Sequence, residues 1–346
     1  MISTTIECQA PGKVVLWGEY AVLAGAPALV VAVDRVARCQ LRVLRSSVKP
    51  TAERSPWEFT SRGFSAEPTG LSRSALLGPD APAAASAARI AWHVLQALQL
   101  YSEDAARRLP SHADVLLDTN GFFHRGVKLG VGSSAALTVA LYGTFCTLIG
   151  ITPDFDQAVA IHRSIQSSHG SGVDIAAAWY GGLIRFERNA SNAAALPSVA
   201  PAAALDGIKI QYFWTGHPAS TTAHLERFSR WQEEGDTNAL TALVAASRAL
   251  FAASDTLRAL EHYIACLRAL DTSAQLGIYD ASHATMHALA QSCGVLYKPC
   301  GAGGGDIGAA FSDDAERLER FTLKAAETSV IPLPLETASH GIRTSH

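Results

Sequence analysis

The N-terminal part of the chain alternates short apolar runs with turn-forming residues, a pattern that is typical of β-strands. The strand candidate at residues 6–8 and the apolar run at residues 14–17 flank the segment 10–13, which contains Pro and Gly, so we predict two strands joined by a turn. Residues 28–33 are apolar throughout, and polar and apolar side chains alternate over residues 39–44, which predicts two further strands. The chain is therefore expected to begin as a β-rich region.

Helical spacing becomes visible further along the chain. Apolar side chains recur three and four positions apart over residues 83–100, which predicts a helix, and shorter patterns predict helices over residues 154–165 and 174–179. Residues 46–82 are rich in Ser, Pro and Gly and show no clear period. We predict loops there, with at most one short strand near residues 57–59.

A change in composition divides the chain. Residues 190–205 are almost entirely Ala, Ser, Asn and Pro, which is typical of a linker and predicts two domains, residues 1–190 and 206–346. The pattern of the second domain is strand, several helices, strand, helix and strand, an order that suits an α+β domain. The tail, residues 336–346, is predicted to fray.

The composition of the 346-residue chain excludes several classes of protein. With 48% hydrophobic residues, 17% charged residues and a formal net charge of −3, neither disorder nor a basic nucleic-acid-binding surface is indicated. No apolar run approaches the roughly 20 residues of a membrane span, and the N-terminus lacks a secretory signal. Six scattered cysteines without a CxxC pair indicate reduced thiols, so we expect a soluble cytoplasmic enzyme or binding protein. The alanine-rich helix over residues 83–100 is internal packing or a subunit contact, which leaves a homodimer open.

A glycine turn leads into an apolar helix in the middle of the first domain. Free N–H groups at a helix start, together with the helix dipole, favour an anion such as a nucleotide phosphate. The serine hydroxyls there can contact phosphate oxygens or a magnesium ion, but serine is also a common N-cap, so a plain capping turn is the alternative. The spacing is neither that of a Walker loop nor that of the dinucleotide-binding fingerprint. The residues are Gly130, Val131, Gly132, Ser133, Ser134 and Ala135.

A second glycine cluster lies near the C-terminus, at residues 301–306. Each glycine in a fixed loop costs backbone entropy, so this density indicates that something approaches the backbone closely. A tight hairpin is the alternative explanation.

Two charged residues complete the candidate chemistry. Asp174 follows a Gly-Ser-Gly turn just before an alanine-rich helix, where it could orient or deprotonate a hydroxyl nucleophile or simply cap the helix. Lys13 follows Pro-Gly at a strand start, where it is either a surface lysine or a cation that stabilises charge on a transferring group. The two histidines His283 and His287 could share one helix face, but without a third ligand nearby we expect them to be solvated.

Residues 10–23, 129–136 and 301–306 resemble, in this order, the three motifs of the GHMP small-molecule kinases. This superfamily includes galactokinase, homoserine kinase, mevalonate kinase and phosphomevalonate kinase. The resemblance extends from Ala10 to Phe311 and implies an α+β fold with an N-terminal β/α nucleotide domain and a ferredoxin-like C-terminal domain. It also implies ATP and Mg²⁺ as cofactors.

The resemblance implies a role for individual residues. Asp174 would take or orient the acceptor proton and Lys13 would stabilise the developing charge, with ATP beside residues 130–135 and Mg²⁺ in contact with Ser134. The acceptor-binding residues would be Glu19, Tyr20, His169, Ser171, Gly172, Ser220, Gly301, Ala302, Gly303 and Gly304. Ser220 is a weaker candidate among them, as are Thr221 and His217 on the same acceptor side.

Within the superfamily, residues 166–176, 214–221 and 298–306 are similar to phosphomevalonate kinases. Ser168 stands where those kinases have Lys, and Arg163 stands where mevalonate kinases carry a magnesium-binding Glu. The expected acceptor is mevalonate 5-phosphate, with mevalonate or another small GHMP substrate as the alternative. A non-catalytic regulator with the same fold is a weaker alternative, since both Lys13 and Asp174 are present. A mevalonate diphosphate decarboxylase is another, since its resemblance at the third motif would be poorer.

Overall fold

Strands and helices alternate along the chain in the computed structural model, which describes residues 2–44, 55–64, 67–83, 86–101, 104–165, 171–188, 195–203, 205–235 and 237–345. The strands are β1 (Ile2–Trp17), β2 (Ala28–Leu44), β3 (Trp57–Arg62), β4 (Thr69–Leu71), β5 (Ala113–Asp118), β6 (Phe123–His124), β7 (Val127–Lys128), β8 (Leu183–Glu187), β9 (Ser198–Pro201), β10 (Lys209–Trp214), β11 (Leu296–Pro299), β12 (Ile307–Ser312), β13 (Ile331–Leu333) and β14 (Arg343–Ser345). The helices are α1 (Arg73–Leu77), α2 (Ala88–Tyr101), α3 (Ala105–Arg108), α4 (Ser133–Ile149), α5 (Phe155–Ile165), α6 (Val173–Tyr180), α7 (Thr221–Glu233), α8 (Asn238–Leu250), α9 (Thr256–Ala274), α10 (Ala281–Cys293) and α11 (Ala315–Ala325).

The first sheet has the strand order β14-β1-β2-β5-β3-β4, with β8 beside β2 and β9 beside β8. Its long central strands, β1 and β2, pair antiparallel from Ile2 opposite Leu44 to Trp17 opposite Leu29. Helix α4 packs on both strands and also contacts α2, α5 and α6. Because α4 is buried along almost its whole length, it forms the centre of the core in this half of the chain.

Strand β1 is continuous through residues 10–13, so the turn predicted there is wrong. Its pairing with β2 shifts register between Pro11 and Gly12, and such a bulge accommodates a proline that has no N–H to donate. A Cβ at Gly12 would lie 2.5 Å from the carbonyl oxygen of Val131, so glycine lets β1 approach the loop before α4. Residues 28–44 likewise form one strand instead of two.

The segment predicted as loops, residues 46–82, contains two strands and a helix in its described part: β3, β4 and α1. Strand β3 runs parallel to β5 and completely buries Trp57 and Phe59. The partner strand lies 56 residues later, and a short segment whose burial depends on so distant a strand shows little periodicity of its own.

The second sheet has the order β11-β12-β10-β13, and all its neighbouring strands are antiparallel. Helices α7 to α10 connect β10 to β11, and α11 connects β12 to β13. The resulting order, strand, helices, two strands, helix and strand, is that of a ferredoxin-like domain. The predicted α+β fold class is confirmed.

Two strands that flank the second sheet in the sequence, β9 and β14, belong to the first sheet. Strand β9 lies inside the predicted linker, residues 190–205, and pairs with β8. Strand β14 pairs with β1, so the prediction that residues 336–346 fray is wrong. The physical reason is that the Ile342 side chain packs onto Gly143 of α4, where glycine leaves room for it. The domain boundary stays a prediction.

His283 and His287 on α10 are buried, so the prediction of two solvated histidines is wrong. Their rings are instead enclosed by hydrogen bonds, His283 to Tyr297 and Gly305 and His287 to Arg268. Among the described residues no group of three or more metal-ligating side chains occurs. None of the described helices is long and apolar enough to cross a membrane.

Replacing Ile342 with Ala is expected to destabilise the protein, because the truncated side chain no longer fills the space at Gly143. A loss of about 1–3 kcal/mol in the free energy of unfolding is expected for this half-buried position. Chemical denaturation provides the measurement, with Arg343→Ala on the exposed side of the tail as the control. Equal stability of the two variants would show that the tail does not contribute to the fold.

Candidate active site

A cavity of about 340 Å³ lies where the two halves of the chain meet. Its wall is formed by β1, the starts of α4, α6 and α7, and the loop between β11 and β12. The polar residues that line it include Lys13, Glu19, Tyr20, Lys128, Ser133, Ser134, His162, Ser171, Asp174, Thr221, Thr222 and Asp306. All three motifs recognised in the sequence therefore meet at one cavity.

The glycine turn before α4 is shaped by its neighbours in the fold. The backbone N–H of Lys13 donates to the Val131 carbonyl oxygen at 2.8 Å, which ties the turn to β1. Gly130 has a φ of 81°, a left-handed conformation that favours glycine, and a Cβ there would lie 2.1 Å from Cγ of Asp306. The turn is thus held between the first motif and the third.

The start of α4 faces the cavity without a side-chain cap. The N-cap residue is Gly132, with Ser133 and Ser134 as the first helical residues, so the alternative of a serine-capped turn is wrong. An uncapped helix start with open backbone N–H groups and two hydroxyls is suited to bind an anion.

Lys13 and Asp174 form an ion pair in the cavity wall. The Nζ of Lys13 lies 3.4 Å from Oδ1 of Asp174, and the lysine side chain is only 12% exposed, so it is not an ordinary surface lysine. Asp174 is in the first turn of α6, whose N-cap is Gly172, so it does not cap the helix. A Cβ at Gly132 would lie 3.3 Å from Cγ of Lys13 and 3.6 Å from Oδ2 of Asp174, which brings the pair against the glycine turn.

The loop at residues 301–306 connects the antiparallel strands β11 and β12, so it is a hairpin connection, and it also lines the cavity. The Tyr20 hydroxyl donates to the Ala302 carbonyl oxygen at 2.7 Å. The Asp306 carboxylate accepts from the Ala219 N–H at 3.2 Å. Burial raises the pKa of Asp306, although the nearby Lys13 opposes this.

Glu19 has a different environment from the one predicted for a substrate-binding residue. Although it borders the cavity, its carboxylate is buried and is bound by the Lys298 ammonium group and by the Tyr263 hydroxyl. The side chain of Lys298 is 0% exposed. Burial and the charge of Glu19 raise the pKa of Tyr263 well above its usual range, so this hydroxyl stays a donor.

Six predicted site residues, among them the weaker candidate His217, do not line the cavity directly. Val131 and Ala135 are buried beneath the glycine turn, and the Ser220 hydroxyl caps α7 by accepting from the Ala223 N–H. Gly303 packs against Ile278, and Gly304 packs against His224. Ser171, Gly172, Gly301 and Ala302 do line the cavity, while His169 lies outside the described residues.

Sequence reasoning missed three cavity or support residues: Lys128, His162 and Lys298. His162 is buried, and its Nε2 atom has no hydrogen-bond partner in the described part of the chain. Burial lowers the pKa of His162, although the Asp174 charge opposes this, so the ring is neutral at pH 7. Lys298 precedes the glycine-rich loop at residues 301–306, and the sequence pattern there predicts site residues only within the loop itself. Nothing in the sequence around His162 indicates that this side chain borders the cavity.

The oxygen donors in the cavity suit a hard cation only in part. The Ser134 hydroxyl and the Asp174 carboxylate border the same space, and oxygen atoms are the ligands that Mg²⁺ prefers. Two such side chains supply fewer oxygen atoms than an octahedral Mg²⁺ ion takes, so Ser134 and Asp174 fit an ion that a nucleotide brings with it better than one held by the protein alone.

Comparisons with known proteins agree with this geometry. No protein-family model matches the chain. The phosphomevalonate kinase of Streptomyces sp. (strain CL190) is 28% identical over 98% of both chains. The phosphomevalonate kinase of Streptococcus pneumoniae, in complex with phosphomevalonate and AMPPNP, has a TM-score of 0.73 at 18% identity, over 96% of this chain and 99% of that one. The mevalonate kinase of Methanococcus jannaschii has a TM-score of 0.71 at 12% identity, over 97% and 99%.

The chain therefore has the fold of these kinase structures and is similar over its full length to one phosphomevalonate kinase, as the resemblance of the three motifs to GHMP kinases predicts.

Replacing Lys298 with Met is expected to cost about 3–5 kcal/mol in the free energy of unfolding, because the buried Glu19 carboxylate is left without its cation. In the double variant Lys298→Met with Glu19→Gln no buried charge remains unpaired, and part of the stability should return. Denaturant titration measures both. As a control, Arg107→Ala breaks the exposed pair with Asp104 and should change stability by less than about 1 kcal/mol. A loss no larger for Lys298→Met than for the control would contradict the role of the pair.

Proposed function

We propose that the protein transfers the terminal phosphoryl group of ATP to mevalonate 5-phosphate, producing mevalonate 5-diphosphate and ADP, a step of the mevalonate route to isoprenoids. The observation that carries this proposal is the excess of anion-binding groups in one cavity. The starts of α4 and α6, which have no side-chain cap, border it together with Lys13 and Lys128. An acceptor that carries a phosphate in addition to its carboxylate uses these groups better than one with the carboxylate alone.

In this proposal the nucleotide phosphates lie at the start of α4, beside Gly130, Gly132, Ser133 and Ser134, with Val131 and Ala135 supporting the turn from beneath. The uncapped backbone N–H groups there match the phosphate charge. The acceptor lies toward α6 and α7, where Ser171, Thr221 and Thr222 supply hydroxyl groups. Both ligands then meet at Lys13 and Asp174.

The transfer joins an acceptor phosphate oxygen to the γ-phosphorus while the bond to the bridging oxygen of ADP breaks. An acceptor phosphate is already ionised near pH 7, so no strong general base is needed. Asp174, 3.4 Å from the Lys13 ammonium group, would then hold that group in place. Lys13 would stabilise the charge on the transferring group, which is the main contribution a protein makes to phosphoryl transfer.

A Mg²⁺ ion bound with the nucleotide would neutralise charge on the β- and γ-phosphates. Ser134 and Asp174 are the residues that would hold it. All six cysteines are free and buried, which fits the cytoplasmic location that we propose. A homodimer stays a prediction.

Mevalonate is the second candidate acceptor, because Ser168 stands where phosphomevalonate kinases carry a lysine. A mevalonate hydroxyl must lose its proton during transfer, and Asp174 would then serve as the general base. Asp174 would therefore hold Lys13 in place when the acceptor is mevalonate 5-phosphate, and would remove a proton when the acceptor is mevalonate.

An ADP-release assay with mevalonate 5-phosphate, mevalonate, homoserine and galactose tests the choice of acceptor. The highest kcat/KM is expected for mevalonate 5-phosphate, since the other three leave part of the anion-binding cavity unused. A preference for unphosphorylated mevalonate would overturn the proposal.

The variants Lys13→Met and Asp174→Asn test the assigned roles. Loss of Lys13 is expected to lower kcat by about 100- to 1000-fold, the usual effect of removing one stabilising donor from a transition state. Asp174→Asn is expected to cost less on mevalonate 5-phosphate than on mevalonate, because only the hydroxyl needs a base. Lys209→Met, at an exposed position, is the control. A rate near that of the wild type in either site variant would show that the site is wrongly assigned.

A further inference from the structure

His283 lies directly behind the loop at residues 301–306 and is fully buried. Its Nε2 atom is 2.9 Å from the Gly305 carbonyl oxygen, which can only accept, so Nε2 carries the proton. Its Nδ1 atom is 2.9 Å from the Tyr297 hydroxyl. Burial lowers the pKa of His283, so the ring is neutral and Nδ1 accepts from that hydroxyl. The ring is therefore fixed in one tautomer and one orientation.

The peptide group between Gly305 and Asp306 is hydrogen-bonded through its N–H as well as through its carbonyl. The Asp306 N–H, which belongs to the peptide group that contains the Gly305 carbonyl, donates to the His217 carbonyl oxygen at 2.9 Å. The His217 ring pairs with Asp280 at 2.8 Å, and Asp280 also accepts from the His283 backbone N–H at 2.9 Å. Both polar atoms of one peptide group are thus bound, and the binding residues are linked to each other.

This peptide controls where Asp306 lies. Asp306 has a φ of 55°, an uncommon conformation for a residue other than glycine, so its neighbours must hold it there. Its side chain occupies the space beside Gly130 in the glycine turn. A rotation of the 305–306 peptide would therefore move the contact between the third motif and the turn.

We propose that His283 is a positioning residue for phosphoryl transfer: by fixing the 305–306 peptide, it keeps Asp306 against Gly130 and the loop in register with the ATP-binding turn. This inference rests on the proposed kinase function of the same cavity. This role explains why His283 is buried with both ring nitrogens hydrogen-bonded, which neither a metal site nor simple core packing explains.

Two amide substitutions separate the hydrogen bonds of the ring. His283→Gln places an N–H group near the position of Nε2 and should keep the bond to Gly305, whereas His283→Asn reaches only the position of Nδ1 and should lose it. His287→Asn is the matched control: that ring is also buried on α10 but bonds to Arg268 and to the Tyr297 backbone. Tyr297→Phe removes only the hydroxyl that orients the His283 ring, and it serves if His283→Asn does not fold.

Amide hydrogen exchange of the peptide spanning residues 299–308 provides a readout that is independent of the acceptor. We expect exchange about tenfold faster in His283→Asn, and in Tyr297→Phe in the same direction, with His283→Gln and His287→Asn close to the wild type. Exchange that is unchanged in His283→Asn, or equally fast in His287→Asn, would overturn the proposal.

Kinetics on whichever acceptor the wild-type protein phosphorylates best provide the second readout. His283→Asn should lower kcat by about 5- to 10-fold, the equivalent of one hydrogen bond, and change the KM for ATP by less than about twofold, while His283→Gln restores kcat. A kcat for folded His283→Asn within twofold of the wild type would also overturn the proposal. A wrong acceptor assignment would appear in the wild-type protein itself, so the two failures are distinguishable.

Discussion

The ion pair between Lys298 and Glu19 is the constraint on which the rest of the site depends. Both side chains are buried, and a charge enclosed in protein is very costly without its partner. Because Glu19 follows β1 and Lys298 belongs to β11, the pair fixes the first motif relative to the third. Tyr263 of α9 adds a third anchor by donating to Glu19 and accepting from the Gly18 N–H at 2.9 Å.

Two further contacts connect the Lys298–Glu19 ion pair to the residues that border the cavity. Tyr20, next to Glu19, binds the Ala302 carbonyl, and Asp306 at the other end of the same loop packs on Gly130. The glycine turn, in turn, packs against Lys13 and Asp174. A chain of close contacts therefore connects a buried structural charge pair to the half-buried ion pair that borders the cavity, which explains how segments separated by some 290 residues form one site.

The parts of the site that could be predicted are those with a local signature. Glycine turns at residues 130–132 and 301–305 are visible in the sequence because only glycine tolerates the approach of Asp306 or His224 there. The bulge at Gly12 was mistaken for a turn, since Pro-Gly is common to both and the distinction depends on pairing with β2. Lys298 belongs to the segment that resembles phosphomevalonate kinases, but nothing there indicates its burial or its pairing with Glu19, 279 residues earlier. His162 and His283 have no local signal, because their burial is set by elements outside their own helices.

The central claim is that the phosphoryl group passes from ATP to an acceptor that already carries phosphate. The most direct test is ³¹P NMR of the protein with ATP, Mg²⁺ and mevalonate 5-phosphate. The account predicts two new, mutually coupled diphosphate resonances that grow in step with ADP, while the acceptor monophosphate resonance declines. Formation of ADP with inorganic phosphate alone, or a new phosphorylated product only when unphosphorylated mevalonate is supplied, would contradict it.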